Sequence, residues 1–174
     1  MKTNAHMILG DAENNFSIPL SSTVLTTLID LLPDDTTNSA LFEYLASHAD
    51  SAVRAAVADK EFLPVTAVKQ LLNDPALGVL KRLLNSQNAR EHVGTIEALA
   101  LCRRDPELAT KLGRDIENFS QCDESVISFL ETHADTKVRL SLATNCLVPK
   151  WVLQRLAQND VDPEVRDSAR YAMS

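Results

Sequence analysis

Thirteen residues written twice constrain this chain more than anything else in it. Residues 48–60 read HADSAVRAAVADK and residues 133–145 read HADTKVRLSLATN, 85 positions apart in a chain of 174. Self-similarity at a fixed offset means that one supersecondary unit has been copied, so both copies are expected to fold alike. The match extends outward at the same offset. Leu41, Phe42, Tyr44 and Leu45 stand where Val126, Ile127, Phe129 and Leu130 stand later, and Ala58, Pro64 and Leu71 return as Ala143, Pro149 and Leu156. The stretches Pro19–Leu32 and Pro106–Phe119 correspond more loosely. A shorter period is nested inside: Asp135-x-x-Val138-Arg139 recurs 27 residues on as Asp162-x-x-Val165-Arg166. In the first half Asp74-Pro75-Ala76-Leu77 echoes Asp50-Ser51-Ala52-Val53 after 24 residues, with Gly78 where the arginine is expected.

The apolar residues recur at helical spacing. Val24, Leu25, Leu28, Ile29 and Leu32 mark one stripe after Ser21-Ser22; Leu41, Phe42, Leu45 and Ala49 mark the next; Val93, Ile96 and Ala100, then Leu108, Leu112, Ile116 and Phe119, mark two more. Shorter helices are expected over 51–59, 64–73, 75–85, 137–144, 149–158 and 163–173, for ten or eleven in all, with SQNAREH (86–92) as a polar loop. Asp74-Pro75, Asp105-Pro106 and Asp162-Pro163 each pair a capping carboxylate with a proline at the first helical position, and Pro64 and Pro149 start helices in the same way. Only four glycines and 5% aromatic residues leave a core of Leu, Val, Ile and Ala. These features predict an all-α fold. Helices this short do not hold alone, so they are expected to stack as an α-solenoid, a superhelix of short helices in two related halves. Residues 1–17 read as an arm, flexible or loosely docked. Residues 18–174 read as one domain, with halves 19–85 and 104–174 joined by 86–103.

The string D-x-x-V-R-x-x-x-A, followed by a proline-started helix with L-x-x-L or L-x-x-A, resembles the leucine-rich repeat variant units. More broadly it is similar to the HEAT-like α-solenoids. The units are HADSAVRAAVADKEFLPVTAVKQLL, HADTKVRLSLATNCLVPKWVLQRLA and a shorter DPEVRDSARYAM. The resemblance covers 48–85 and 133–173 and implies stacked helical pairs that serve protein binding. Some members carry an iron–sulfur cluster on a cysteine-rich segment; no such segment occurs in this sequence, so no cofactor is carried over. In each unit Asp50, Asp135 and Asp162 are placed to cap the following helix. Val53, Val138 and Val165 point inward, and Arg54, Arg139 and Arg166 reach a carboxylate of the same or the adjacent unit. That makes the signature structural.

Candidate chemistry is sparse. His48 and His133 are repeat equivalents at helix ends, and His6 and His92 have no partner at metal-ligand spacing. Neither HExxH nor CxxC occurs, and no glycine loop cradles phosphate. Cys102, Cys122 and Cys146 have long spacings and no nucleophile motif around them, which suits reduced thiols in a cytoplasmic protein. No enzymatic activity, metal or cofactor is expected. No apolar run suits a signal peptide or a membrane helix. The net charge of −7 disfavours nucleic acid, yet the span Lys81–Arg114 carries seven basic residues against four acidic ones. Arg82, Arg90, Arg103, Arg104, Lys111 and Arg114 are therefore interaction candidates. Trp151, the only tryptophan, occupies the position of Thr66 in the other half, a size difference that suggests partial exposure and an interface anchor, against which burial on a neighbouring helix is the favoured expectation. The expected function is a protein–protein interaction scaffold or adaptor whose partner is another protein or a second copy of the chain. The alternatives are a nucleic-acid-binding HEAT-like protein resembling the DNA glycosylases, and a regulatory subunit of an enzyme.

Overall fold

Helices form wherever a side-chain oxygen caps a run of helically spaced apolar residues. The computed structural model describes residues 6–10 and 15–174, and among them twelve α-helices account for most of the chain. They fall into two compact units, residues 1–92 and 93–174. The first contains strands β1 (His6–Gly10) and β2 (Asn15–Pro19), then α1 (Ser22–Leu31), α2 (Ser39–Leu45), α3 (Ser51–Ala58), α4 (Val65–Leu71), α5 (Leu77–Leu83) and α6 (Gln87–Glu91). The second contains α7 (Thr95–Arg104), α8 (Pro106–Arg114), α9 (Glu124–Glu131), α10 (Thr136–Ala143), α11 (Lys150–Asn159) and α12 (Pro163–Ala172). Among the described residues no helix is long and apolar enough to cross a membrane.

Four helices of the first unit have counterparts at near-constant offsets in the second. Helices α2, α3 and α4 start 85 residues before α9, α10 and α11. Asp50 and Asp135 cap α3 and α10 by accepting from the amides of Ala52 and Lys137. Helices α1 and α8 start 84 apart and are capped by Ser21 and Asp105. The caps therefore align these helices, where matching Pro19 to Pro106 would shift them by three residues. Buried side chains form a core inside each unit: Leu25, Ile29, Phe42, Val53, Leu71 and Leu80 in the first, and Leu112, Leu130, Val138, Leu142, Leu153 and Val165 in the second. In the second unit α8 crosses α10 closely at Gly113, where a Cβ would run into the Ser141 hydroxyl.

The structure departs from the sequence expectations in five places. Residues 1–5 and 11–14 of the expected arm lie outside the described residues, but His6–Gly10 and Asn15–Pro19 pair as an antiparallel hairpin with His6 opposite Pro19. The segment 86–103 is no linker: α6 closes the first unit and most of α7 opens the second. The polar run SQNAREH is helical because tertiary bonds hold it. Ser86 caps Ala89, the Glu61 carboxylate accepts from the Ser86 hydroxyl and the Gln87 amide, and the Asn88 side chain donates to the carbonyls of Glu61 and Leu63. Helix α7 buries Ala98, Leu101 and Cys102 and leaves Ile96 and Ala100 exposed, so of the expected stripe only Val93, which precedes the helix, is buried. Finally, Asp74-Pro75 does not begin a helix. Helix α5 starts at Leu77, and the Asp74 carboxylate accepts from the Ala76 amide in the turn before it. Pro64 and Pro149 likewise sit at the cap position itself, one residue before α4 and α11.

Candidate protein-interaction surfaces

Four copies of one turn carry most of the charged residues that the repeat singles out. In the first copy the His48 Nδ1 accepts from the Asp50 amide at 3.1 Å, and the Arg54 Nη1 donates to the carbonyls of His48 and Ala49 at 2.7 and 2.9 Å. The remaining Arg54 nitrogens form a two-pronged pair with Asp74, Nε to Oδ2 at 2.5 Å and Nη2 to Oδ1 at 3.0 Å. The second unit builds the same bracket. His133 Nδ1 accepts from the Asp135 amide, Arg139 Nη1 donates to the carbonyls of His133 and Ala134, and Nε and Nη2 reach Asp160 at 2.8 and 3.1 Å. A planar guanidinium satisfies four acceptors at once in this arrangement, which a lysine cannot do.

The bracket also settles the register of the shorter repeat. Asp74 accepts from the amide two residues on, as His48 does, and Asp160 does the same with Asp162. Asp74 and Asp160 therefore occupy the histidine position of the next copy, so Asp74 aligns with His48 and not with Asp50. Leu80, fully buried, takes the arginine position there, and Gly78 does not. Arg166 completes the last copy by donating to the carbonyls of Asp160 and Val161 at 2.7 and 3.1 Å. Val53, Val138 and Val165 are fully buried beside these turns.

Electrostatics follow from this geometry. The hydrogen bonds that Arg54 donates to the Asp74 carboxylate hold its guanidinium above its ordinary basicity, and those to Asp160 do the same for Arg139. Burial pushes the Asp160 carboxyl up, but the Arg139 hydrogen bonds, the Asp162 amide and the fields of Arg139 and Arg166 outweigh it and leave the carboxyl below its usual range. Each bracket floors an open groove. The one in the second unit, about 480 Å³, is lined by Glu131, His133, Arg139, Arg155 and Asp160, and the one in the first, about 390 Å³, by Ser47, His48, Arg54, Gln70 and Asp74.

The basic candidates are divided between the units and most have partners within the chain. Arg82 pairs with Asp59, and Arg90 Nε donates to the Leu84 carbonyl at 2.8 Å in the first unit. In the second, the Arg103 guanidinium lies over the Phe129 ring at 5.5 Å and Lys111 pairs with Asp115 at 3.7 Å. Arg104 and Arg114 are exposed in the last turns of α7 and α8, where positive charge suits the helix dipole. Such engagement leaves little free positive charge to meet a phosphate backbone.

Trp151 is different. It is 38% exposed on α11, with the Arg155 guanidinium 4.4 Å from its ring centroid, and Arg155 is in turn paired with Glu131. The corresponding residues of the first unit are Thr66, Gln70 and Ala46, which cannot form this stack.

Among the described residues no three His, Cys, Asp or Glu side chains converge to hold a metal. Burial, and then the neighbouring Cys122, pushes the Cys102 thiol up to about 12; burial, and then Asp123, pushes Cys122 to about 11. Cys146 alone is exposed. At about pH 8 a thiol reagent is therefore expected to modify Cys146 at once and the other two only on unfolding, because the thiolate is the reacting form. Release of all three thiols at one rate by the native protein would contradict this placement. Compared with known proteins, the chain matches no family model, no curated sequence and no solved structure.

Proposed function

We propose that this chain is a non-enzymatic protein-binding module of the α-solenoid class, with units resembling leucine-rich repeat variants. Support for stacked repeats comes from the recurrence of the arginine–aspartate bracket in both units with the same partners. The observation that carries the binding role is the Glu131–Arg155–Trp151 stack. An exposed indole held flat by a paired guanidinium is a pre-ordered anchor: it offers a large apolar area while losing little side-chain freedom on binding. The paired histidines His48 and His133 and the aspartates Asp50, Asp74, Asp135, Asp160 and Asp162, by contrast, are committed to caps and brackets.

The test uses the sole tryptophan twice. Partners are captured from native extract on the wild-type chain and on Trp151→Ala, after circular dichroism shows equal helicity. An anchor residue predicts that Trp151→Ala weakens the recovered complex by about 2 kcal/mol or more, roughly 30-fold, and that wild-type indole emission shifts blue on binding. Equal recovery by both proteins with unchanged emission refutes the anchor.

A further inference from the structure

We infer that α1 and α2 form an acceptor face for an amphipathic helix, ending in arginines, of a partner protein, docked as α7 docks in the second unit. The observation is an asymmetry between the two copies. In the second unit α8 is packed by α10 on one side and by α7 on the other, and α7 also packs on α9. Its two apolar stripes, Leu108/Leu112 and Ala109/Gly113, are accordingly both fully buried. In the first unit α1 presents the matching pattern 84 residues earlier. Leu25 and Ile29 are buried on the α3 side, but Val24 and Leu28 are 43% and 38% exposed. Helix α2 repeats the contrast: Leu41 and Tyr44 are 41% and 48% exposed, whereas their equivalents Val126 and Phe129 are, respectively, fully and partly buried. Four apolar positions that are covered in one copy are open in the other.

The second unit identifies what covers them. Helix α7 turns Ala98, Leu101 and Cys102, spaced i, i+3, i+4, inward and lays Arg103 over Phe129. In the first unit the hairpin β1–β2 stands where a helix before α1 would be, and it leaves the four side chains exposed. Tyr44 supplies the aromatic ring that Phe129 supplies. Charge points the same way. Residues 20–50 contain five acidic residues (Asp30, Asp34, Asp35, Glu43 and Asp50) and no lysine or arginine, so a helix ending in arginines, as α7 does, is the complementary occupant. Apolar side chains at i, i+3 and i+4 on a helix laid into such a face are a recurring mode of recognition. The surface belongs to the first unit and Trp151 to the second, and both inferences share the premise of a protein-binding module.

The probe is a fluorescent peptide of residues 93–105, VGTIEALALCRRD, carrying Cys102→Ala to prevent oxidation. Its anisotropy is titrated with the full chain at low salt. Saturable binding that weakens about tenfold or more in Leu28→Asp and in Tyr44→Ala, and is unchanged in Trp151→Ala, supports the inference. The exposed positions keep both variants folded, which thermal melts check. Absence of saturable binding overturns it. So does binding that is insensitive to Leu28→Asp and Tyr44→Ala, the signature of exchange with the chain's own α7. A dimer by sedimentation that dissociates in Leu28→Asp also overturns it, since the occupant is then a second copy. Sensitivity to Trp151→Ala alone overturns this face while leaving the Trp151 anchor intact.

Discussion

Replacing Arg139 with alanine is expected to lower the free energy of unfolding by about 3–5 kcal/mol, the loss typical when one partner of a buried ion pair is removed. The Arg139 and Asp160 side chains are 9% and 3% exposed. Without the guanidinium, Asp160 keeps the Asp162 amide and the field of Arg166 but loses both side-chain hydrogen bonds, and the carbonyls of His133 and Ala134 lose their shared donor. Arg139→Lys is expected to recover little, because an ammonium cannot fork to both carboxylate oxygens while reaching two carbonyls. The pH dependence has a definite sign. The folded Asp160 carboxyl titrates below its unfolded value of about 3.9, so its contribution is complete above that pH and is lost as pH falls through the lower folded value. Urea unfolding of wild type and Arg139→Ala should therefore show a constant gap near neutrality that narrows below about pH 4. A gap that persists undiminished in strong acid would show that the bracket acts through packing and not charge. Arg82→Ala, which breaks the exposed pair with Asp59, is the control and should cost only about 0–1 kcal/mol.

Phe42→Ala is expected to cost about 3–5 kcal/mol, through lost transfer energy and the cavity left behind. Helix α2 has only seven residues and buries only Phe42 and Leu45 within them, so it cannot persist without that anchor. The ring also lies 5.7 Å from the Lys60 ammonium, a group itself 8% exposed and donating to the Leu32 carbonyl at 3.2 Å. Removing the ring strips that buried cation of its aromatic neighbour as well as opening a void. Denaturant unfolding gives the magnitude, and hydrogen exchange should show the amides of α2 and α3 losing protection first. Phe62→Ala, at a ring that is 53% exposed, should cost well under half as much. Equal losses at the two phenylalanines would contradict the core described above.

Much of the architecture was legible because helix formation here is announced locally. Ser21, Asp50, Asp105, Asp135 and Asp162 all cap the helices that the residue pattern places after them. The misreadings share a cause. Helix α6 has Ala89 as its one apolar residue, and its hold on Glu61, 25 to 27 residues away, leaves no mark on the local pattern. In α7 two apolar stripes compete, and only packing against α8 and α9 selects Ala98, Leu101 and Cys102 over Ile96 and Ala100, while Val93, just before the helix, is buried with the first set. The candidate surfaces were half legible. For Trp151 the Thr66 equivalence hints at exposure while the sequence alone favours burial against a neighbouring helix, and the Arg155 stack that orders the 38%-exposed ring is not written in the local pattern.

By itself the sequence determined that two copies of one helical unit exist, where most of their helices begin, and that Arg54 and Arg139 needed a carboxylate. Spacing and capping depend on neighbours within a few residues, and those are written in order along the chain. Only the tertiary structure decided which carboxylates answer, Asp74 and Asp160 from the following copy, and that the first unit has a hairpin where the second has a covering helix. The physical reason is that burial is a property of pairs of elements. Val24 and Leu28 are as apolar as Leu108 and Leu112, and whether they are exposed depends on what packs beside them.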